Sequence, residues 1–159
     1  MFPSTRLMCV LALSAMALAA QVVPNYTLQT TAMVGIAEGQ TARLNLLNPG
    51  VLPPALGVVC TATVVYLDGA GTVLKTASVT VTPGTSQGAD LHSDSDLGLA
   101  AGQRREIRGT IAIPVVPPPV TATGTATAVP ACKLIPTLEI LDSLTGRTQA
   151  VLGHVETVD

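Results

Sequence analysis

Aromatic side chains are scarce in this chain of 159 residues, which has no Trp, one Phe and two Tyr. Its hydrophobic core must therefore be aliphatic. Val, Thr, Ala and Leu dominate the composition. Threonine and valine favour strands, because their branched β-carbons fit a pleated surface. The composition thus indicates an all-β protein with a core of small and medium-sized side chains.

Charge is scarce as well, with 8 Lys and Arg against 10 Asp and Glu, for a formal net charge of −2. Phosphate binding needs clustered Lys and Arg, so nucleic acid is excluded as the main partner. The same shortage argues against anionic membrane surfaces. After the N-terminal segment, no apolar run approaches the roughly 20 residues that a membrane-spanning helix needs.

The N-terminal segment has the three parts of a secretory signal peptide in the right order. One positive charge, Arg6, precedes an apolar run that ends in an A-x-A pattern at Ala17–Ala19. The run is too short to span a membrane, and a buried N-terminal helix is the alternative interpretation. We expect residues 1–20 to be a signal peptide and residues 21–159 to be one exported domain, periplasmic or extracellular.

Cysteine is scarce too. The chain has three, and loss of the signal peptide leaves two of them, Cys60 and Cys132. In an exported protein an even pair indicates a disulfide. Both cysteines lie on the apolar phase of predicted strands, as a disulfide between packed sheets requires. Two separate buried thiols are the alternative. A metal pair is disfavoured, since no His or Cys neighbours either residue at ligand spacing.

Period-two alternation runs through the chain after the signal peptide, and no segment has a helical period. Turns with glycine separate the alternating segments, at 37–40, 67–73, 100–103 and 141–148. Strands at such short spacing predict a β-sandwich. The positions expected to share one face are Leu28, Thr30, Ala32, Val34 and Ile36; Ala42, Leu44 and Leu46; Cys60, Ala62, Val64 and Tyr66; Ile107, Ile111 and Ile113; and Cys132, Leu134, Leu138 and Ile140.

Residues 114–131 depart from this pattern, because they begin with prolines and continue as a Thr-Ala-Gly tract. Proline cannot donate to a strand ladder, and the tract has few side chains that would pack. We expect a flexible loop between two late strands. A loop of this length is either functional or disordered, and its lack of charged and aromatic residues favours disorder.

The strand spacing, the Gly-Gln turns before strands and the Cys60–Cys132 pair together resemble the immunoglobulin-like and fibronectin-like β-sandwiches of secreted bacterial proteins. The chain departs from a true immunoglobulin domain in lacking the core tryptophan and in the position of Cys132. The resemblance implies an all-β, immunoglobulin-like antiparallel β-sandwich with a Pro/Thr/Ala-rich loop. Such domains bind, space or stiffen, so we expect a non-catalytic module without a cofactor. Its expected partner is another envelope or extracellular protein, or a polymer.

A self-assembling fibre or pilus-like subunit is the second functional hypothesis. The alternating segment TLQTTAMVGI (27–36) is suited to lending a strand to a neighbouring subunit.

A small serine hydrolase is the third hypothesis, because Gly84–Gly88 matches the Gly-x-Ser-x-Gly pattern with Ser86 as nucleophile. The pattern works where a strand turns sharply into a helix beside oxyanion donors. The residues that follow Gly88 do not predict a helix. The candidate bases are His92 and His154, with Asp142 between the serine and the later histidine. A Pro-Gly turn followed by a polar strand is the alternative.

Alternating Asp90, His92, Asp94 and Asp96 are the candidate metal ligands. On a strand these side chains would share one face. In a loop, Asp94 and Asp96 could bind calcium together with backbone carbonyls, although the spacing excludes an EF-hand. The alternative is a solvated acidic loop, which Ser, Asp and Gly commonly form.

Overall fold

The computed structural model describes residues 26–50, 57–115, 132–153 and 155–158. The predicted signal peptide, residues 116–131 of the predicted loop, and His154 lie outside the described residues. The described residues form ten strands: β1 (Tyr26–Thr31), β2 (Val34–Ala37), β3 (Gln40–Leu47), β4 (Cys60–Asp68), β5 (Val73–Val81), β6 (Ser86–His92), β7 (Arg104–Pro114), β8 (Ile135–Asp142), β9 (Thr148–Leu152) and β10 (Val155–Val158). No helix with the length and apolarity to cross a membrane occurs in this part of the chain.

The strands form two antiparallel sheets, which confirms the predicted all-β, sandwich-like architecture. The six-stranded sheet has the order β10-β1-β7-β4-β5, and β2 also pairs with β7. The four-stranded sheet has the order β6-β3-β8-β9. The chain passes between the sheets six times along the described strands. Two of these crossings, from β5 to β6 and from β9 to β10, join an edge strand of one sheet to an edge strand of the other.

The core between the sheets is aliphatic, apart from one tyrosine, as the composition predicts. The predicted alternation in β3, β4, β7 and β8 is confirmed, since the positions expected to share a face are buried or, for Cys132, partly buried against the core. The buried side chains are Ile36, Ala42, Leu44, Leu46, Cys60, Ala62, Val64, Tyr66, Val79, Val81, Ala89, Leu91, Ile107, Ile111, Ile113, Leu134, Leu138 and Ile140.

Tyr66 crosses the core from the six-stranded sheet to the backbone of the four-stranded sheet. Its hydroxyl accepts a hydrogen bond from the Leu44 N–H (2.8 Å) and lies 2.7 Å and 3.1 Å from the carbonyl oxygens of Ala89 and Ala42. Gly109 lies opposite Tyr66 on β7. A Cβ at Gly109 would lie 2.9 Å from a methyl carbon of Leu44, so a side chain there would force Leu44 or the sheets to shift.

A disulfide joins Cys60, at the start of β4, to Cys132, which precedes β8. The predicted pairing is therefore confirmed, and the bond links the two sheets at one end of the sandwich. Asn48 reinforces the same end with a side chain that is only 4% exposed. Its amide donates hydrogen bonds to the carbonyls of Val58 (2.8 Å) and Val81 (3.1 Å).

The two Gly-Gln turns have the same local structure. The Ala37 N–H donates to the side-chain oxygen of Gln40 (2.7 Å), and the Ala100 N–H donates to that of Gln103 (2.9 Å). The glycine before each glutamine has a positive φ, of 76° and 78°. The similar tetrapeptides AEGQ (37–40) and AAGQ (100–103) therefore both form glycine turns before a strand, as the sequence predicts.

The prediction that Leu28 and Ile36 share one face is wrong. Leu28 is 39% exposed, whereas Ile36 is fully buried. Thr30 pairs with Thr110 and Val34 pairs with Ile107. The chain therefore advances four residues from β1 to β2 while the paired strand β7 advances only three. This extra residue between β1 and β2 reverses the alternation, because side chains on a strand change face at every position.

Candidate functional site

The segment from Gly84 to Asp96, which contains Ser86 and the candidate metal ligands, forms a turn, an edge strand and a second turn. Gly84, with φ 76°, lies in the turn between β5 and β6. β6 then pairs along its whole length with β3 at the edge of the four-stranded sheet. Turn residues follow His92 as far as Leu97, so the strand-to-helix elbow of a hydrolase does not form here.

Ser86 is not close to His92, the candidate base that the structure describes. Ser86 is exposed at the start of β6, and His92 ends the same strand. Six residues of extended chain separate them by roughly 20 Å. Asp142 lies at the far end too, since it pairs with the first residue of β3 while Ser86 pairs with the last. His154 lies outside the described residues.

Asp90 on β6 forms a two-point ion pair with Arg43 on β3. The Nε and Nη2 atoms of Arg43 each lie 2.7 Å from a different carboxylate oxygen of Asp90. The hydrogen bond from Arg43 holds the pKa of Asp90 below its ordinary value, against the opposing effect of burial. Both carboxylate oxygens are thus engaged in joining two strands.

Asp94 and Asp96 lie after the end of β6 and fasten the turn to its neighbours. Asp94 accepts hydrogen bonds from the Gly39 N–H (2.9 Å) and from the Ser93 hydroxyl (2.8 Å). Asp96 accepts hydrogen bonds from Lys75 Nζ (2.6 Å) and from the backbone N–H of the last β6 residue (2.8 Å). These two carboxylates hold the turn against the β2–β3 turn and against β5.

His92 makes a side-chain contact of a different kind. Its Nδ1 lies 2.9 Å from the Thr41 hydroxyl, which in turn lies 2.9 Å from the Ser143 hydroxyl. The four candidate metal ligands therefore have separate partners. In the described ranges, no group of three or more His, Cys, Asp or Glu side chains is arranged to hold a metal ion.

A shallow polar pocket of about 280 Å³ lies on the outer face of the four-stranded sheet. Gly88 leaves room for it, and a Cβ there would lie 2.8 Å from the side-chain oxygen of Asn45. The pocket brings together two of the candidate residues, one from the hydrolase hypothesis and one from the metal hypothesis. Its lining residues are Arg43, Asn45, Ser86, Gln87, Gly88 and Asp90.

The outer face of the six-stranded sheet carries an array of hydroxyl groups that the sequence reasoning missed. Residues directly opposite each other on neighbouring strands share a face. We call this array the threonine face; its three cross-strand rows are Thr61–Thr80, Leu28–Ala112–Thr63–Ser78, and Thr30–Thr110–Val65–Thr76. The Thr61 and Thr80 hydroxyls lie 3.1 Å apart, and those of Thr30 and Thr110 lie 3.4 Å apart.

Charge distinguishes the centres of the two outer faces. From β1 to β5, the three rows of the threonine face contain no charged residue, although Arg108 lies in the next row of the same face and Glu156 on β10 lies opposite Thr30. The outer face of the four-stranded sheet carries the cross-strand row Asp90–Arg43–Glu139. The signal for the threonine face was present in the sequence as Thr and Ser at alternate positions of β4 and β5, on the phase opposite to the core.

Comparison of this chain with protein-family models, with curated proteins and with solved structures finds no match.

Proposed function

We propose that this chain is an exported, non-catalytic module with an immunoglobulin-like β-sandwich, which contacts an uncharged polymer of the envelope or of the extracellular space. The signal-like N-terminus and the disulfide support export, because disulfides persist in oxidising compartments. The antiparallel sheets and the inter-sheet disulfide support the immunoglobulin-like assignment. The separation of Ser86 from His92 and Asp142 supports a non-catalytic role.

The threonine face is the observation that carries this proposal. Each hydroxyl both donates and accepts hydrogen bonds, so the face suits a partner with neutral hydroxyl or amide groups. A partner confined to the three rows between β1 and β5 covers no charged residue, so no ion has to be desolvated when it binds. Single-residue contacts of this kind are individually weak, with a net contribution of about 0.5–1.5 kcal/mol for each hydrogen bond.

The size of the face favours a polymer over a folded protein. Four strands about 4.8 Å apart and three rows about 6.7 Å apart span roughly 14 Å by 14 Å. That is about 200 Å², well below the ~800 Å² per partner of a stable protein complex. A polymer offers the same binding unit many times along its length, so a face this small still meets a high local concentration of sites.

The test is co-sedimentation of residues 21–159 with insoluble neutral polysaccharides and with isolated envelope. The face variant carries Thr63→Lys and Ser78→Lys, which place two charges at its centre. The matched control is Asn45→Lys, on the outer face of the other sheet. We expect the face variant to lose binding and the control to keep it.

Salt provides a second criterion for the same experiment. Because the face has no ion pairs, we expect the bound fraction to stay constant as salt concentration rises. Binding that survives in the face variant, or that salt abolishes, would overturn the proposal. Loss of binding in Asn45→Lys alone would assign the contact to the polar pocket instead.

A further inference from the structure

β1 lies between β7 and β10 but contributes no side chain to the described hydrophobic core. Its Thr27 and Gln29 pair with Ile113 and Ile111, so these polar residues face inward. The side-chain oxygen of Gln29 is buried with no hydrogen-bond partner among the described residues. Such a group costs about 1–3 kcal/mol. β1 is therefore held mainly by its backbone ladder and not by apolar burial.

The apolar side chains of β1 point away from the core. Tyr26 is 48% exposed and Leu28 is 39% exposed. The anchoring side-chain contact is at the other end, where the buried Thr31 hydroxyl accepts a hydrogen bond from the Gly109 N–H (3.0 Å). This contact fixes the register of β1 against β7 with little burial of apolar surface.

A hinge separates β1 from the rest of the fold. Ala32 and Met33 lie between β1 and β2, outside both strands, and both are exposed. β2 stays fixed beyond them, because Ile36 is fully buried in the core. The extra residue that this connection contains relative to β7 interrupts the ladder. β1 is the first of the described strands, and a strand joined to its fold by an exposed hinge can exchange between copies.

We propose that β1 exchanges between copies of this chain, so that the gap between β7 and β10 of one copy binds β1 of a second copy. β1 pairs through five positions with β7 and through four with β10. An exchanged strand makes all these contacts again. The exchanged form and the closed form, in which β1 stays on its own chain, therefore differ mainly in association entropy and hinge geometry. The exchanged form therefore increases with protein concentration. Reciprocal exchange yields a dimer, and one-way exchange yields a fibre.

Two variants, each with one added cysteine beside the native disulfide, test this directly. Thr30 on β1 and Thr110 on β7 are paired, and their hydroxyls lie 3.4 Å apart. Thr30→Cys and Thr110→Cys, each with a different tag, are mixed and oxidised mildly at increasing concentration. A mixed disulfide forms efficiently only when β1 of one chain lies on β7 of the other. We expect a band at twice the chain mass that contains both tags and grows with concentration.

The matched control uses the β4–β5 hairpin. Thr61 and Thr80 are paired in the same way, with hydroxyls 3.1 Å apart, but their strands are joined by a tight turn and cannot exchange without unfolding. A mixture of Thr61→Cys and Thr80→Cys should give only background dimer. The double variant Thr30→Cys/Thr110→Cys reports the closed form, as a crosslink within one chain.

The proposal is overturned if the β1–β7 mixture gives no more mixed dimer than the hairpin mixture while the double variant closes within single chains. If the double variant forms no crosslink of either kind, Leu28→Cys and Ala112→Cys replace the pair, since these residues are opposite each other on the same two strands. The outcome is independent of the polymer experiment, which measures binding and not exchange between chains.

Discussion

Replacing Tyr66 with Phe removes one oxygen atom and keeps the ring that fills the core. Tyr66 is 1% exposed, and its hydroxyl lies within hydrogen-bond distance of three backbone groups of the four-stranded sheet. In the variant, the Leu44 N–H loses the hydroxyl as an acceptor, and one of the carbonyls of Ala42 and Ala89 loses the hydroxyl as a donor. No cavity forms, so the change isolates the hydrogen bonds that join the two sheets.

The expected loss is large for a single atom. A buried polar group left without a partner costs about 1–3 kcal/mol, so we expect roughly 2–6 kcal/mol for the two groups. The total stability of a domain is about 5–15 kcal/mol. At about 3 °C per kcal/mol for a domain of this size, Tm should fall by roughly 6–18 °C.

Urea unfolding and thermal unfolding measure this loss in Tyr66→Phe. Tyr26→Phe is the matched control, because Tyr26 is 48% exposed and should change stability by less than about 0.5 kcal/mol. A loss of less than about 0.5 kcal/mol in Tyr66→Phe would refute the reasoning, since the contacts would then contribute no more than exposed hydrogen bonds.

pH dependence gives a second measurement of the same residue. Burial raises the pKa of Tyr66 above its ordinary value of 10.0. Below pH 10 the folded and unfolded states both keep the proton, so the contribution of Tyr66 is complete. Above that pH the unfolded state loses its proton first, and stability falls as pH rises. We expect this alkaline fall in the wild type to be smaller in Tyr66→Phe.

Three further changes have defined outcomes. Replacing both Cys60 and Cys132 with Ser should cost about 2–4 kcal/mol in denaturant unfolding. Gly109→Ala should cost about 1–3 kcal/mol because its Cβ would meet a leucine methyl group, whereas Gly153→Ala has nothing within 4 Å and serves as its control. Asp90→Asn should cost less than about 1 kcal/mol at neutral pH, since its ion pair is partly exposed. That difference should disappear as pH falls, because the pKa of Asp90 is held below 3.8 in the folded state.

Contrary results have specific meanings. Unchanged stability in the cysteine variant would mean that the unfolded chain gains little freedom when the bond is absent. Equal effects of the two glycine substitutions would show that the sheets can separate at Gly109 without cost. An Asp90→Asn difference that persists at low pH would assign the loss to packing and not to the ion pair.

The sequence by itself predicted the strands that bury one continuous apolar face. In β3, β4, β7 and β8 the alternation is clear, so which side faces the core follows from hydrophobic burial alone. The cysteine pairing was predictable for the same reason, because both residues share the phase of that core. The hairpin turns after β4 and β8 were also local signals, carried by Asp68, Asp142 and the glycines that follow them.

The position of the acidic residues depended on where β6 ends. The pattern alone allowed Asp90, His92, Asp94 and Asp96 to share one strand face or to form a loop. In the structure β6 ends at His92, and the two later aspartates each bind groups distant in sequence, including Gly39 and Lys75. Such partners are set by how the sheets pack, which local alternation does not encode.

The inward and outward faces of β1 were likewise decided by tertiary structure. By sequence alone, the segment from Leu28 to Ile36 has one unbroken alternation, which predicts one strand with one apolar face. The pairing with β7 admits an extra residue at the hinge and reverses the alternation of β1. Local sequence therefore determined β3, β4, β7 and β8 and their core faces, because burial and turn chemistry act on neighbouring residues. The disulfide was predictable because only two cysteines follow the predicted signal peptide and both share the phase of the core. Strand order, the extra residue between β1 and β2, and the partners of Asp94 and Asp96 required the assembled sheets. Those contacts join residues far apart in the chain.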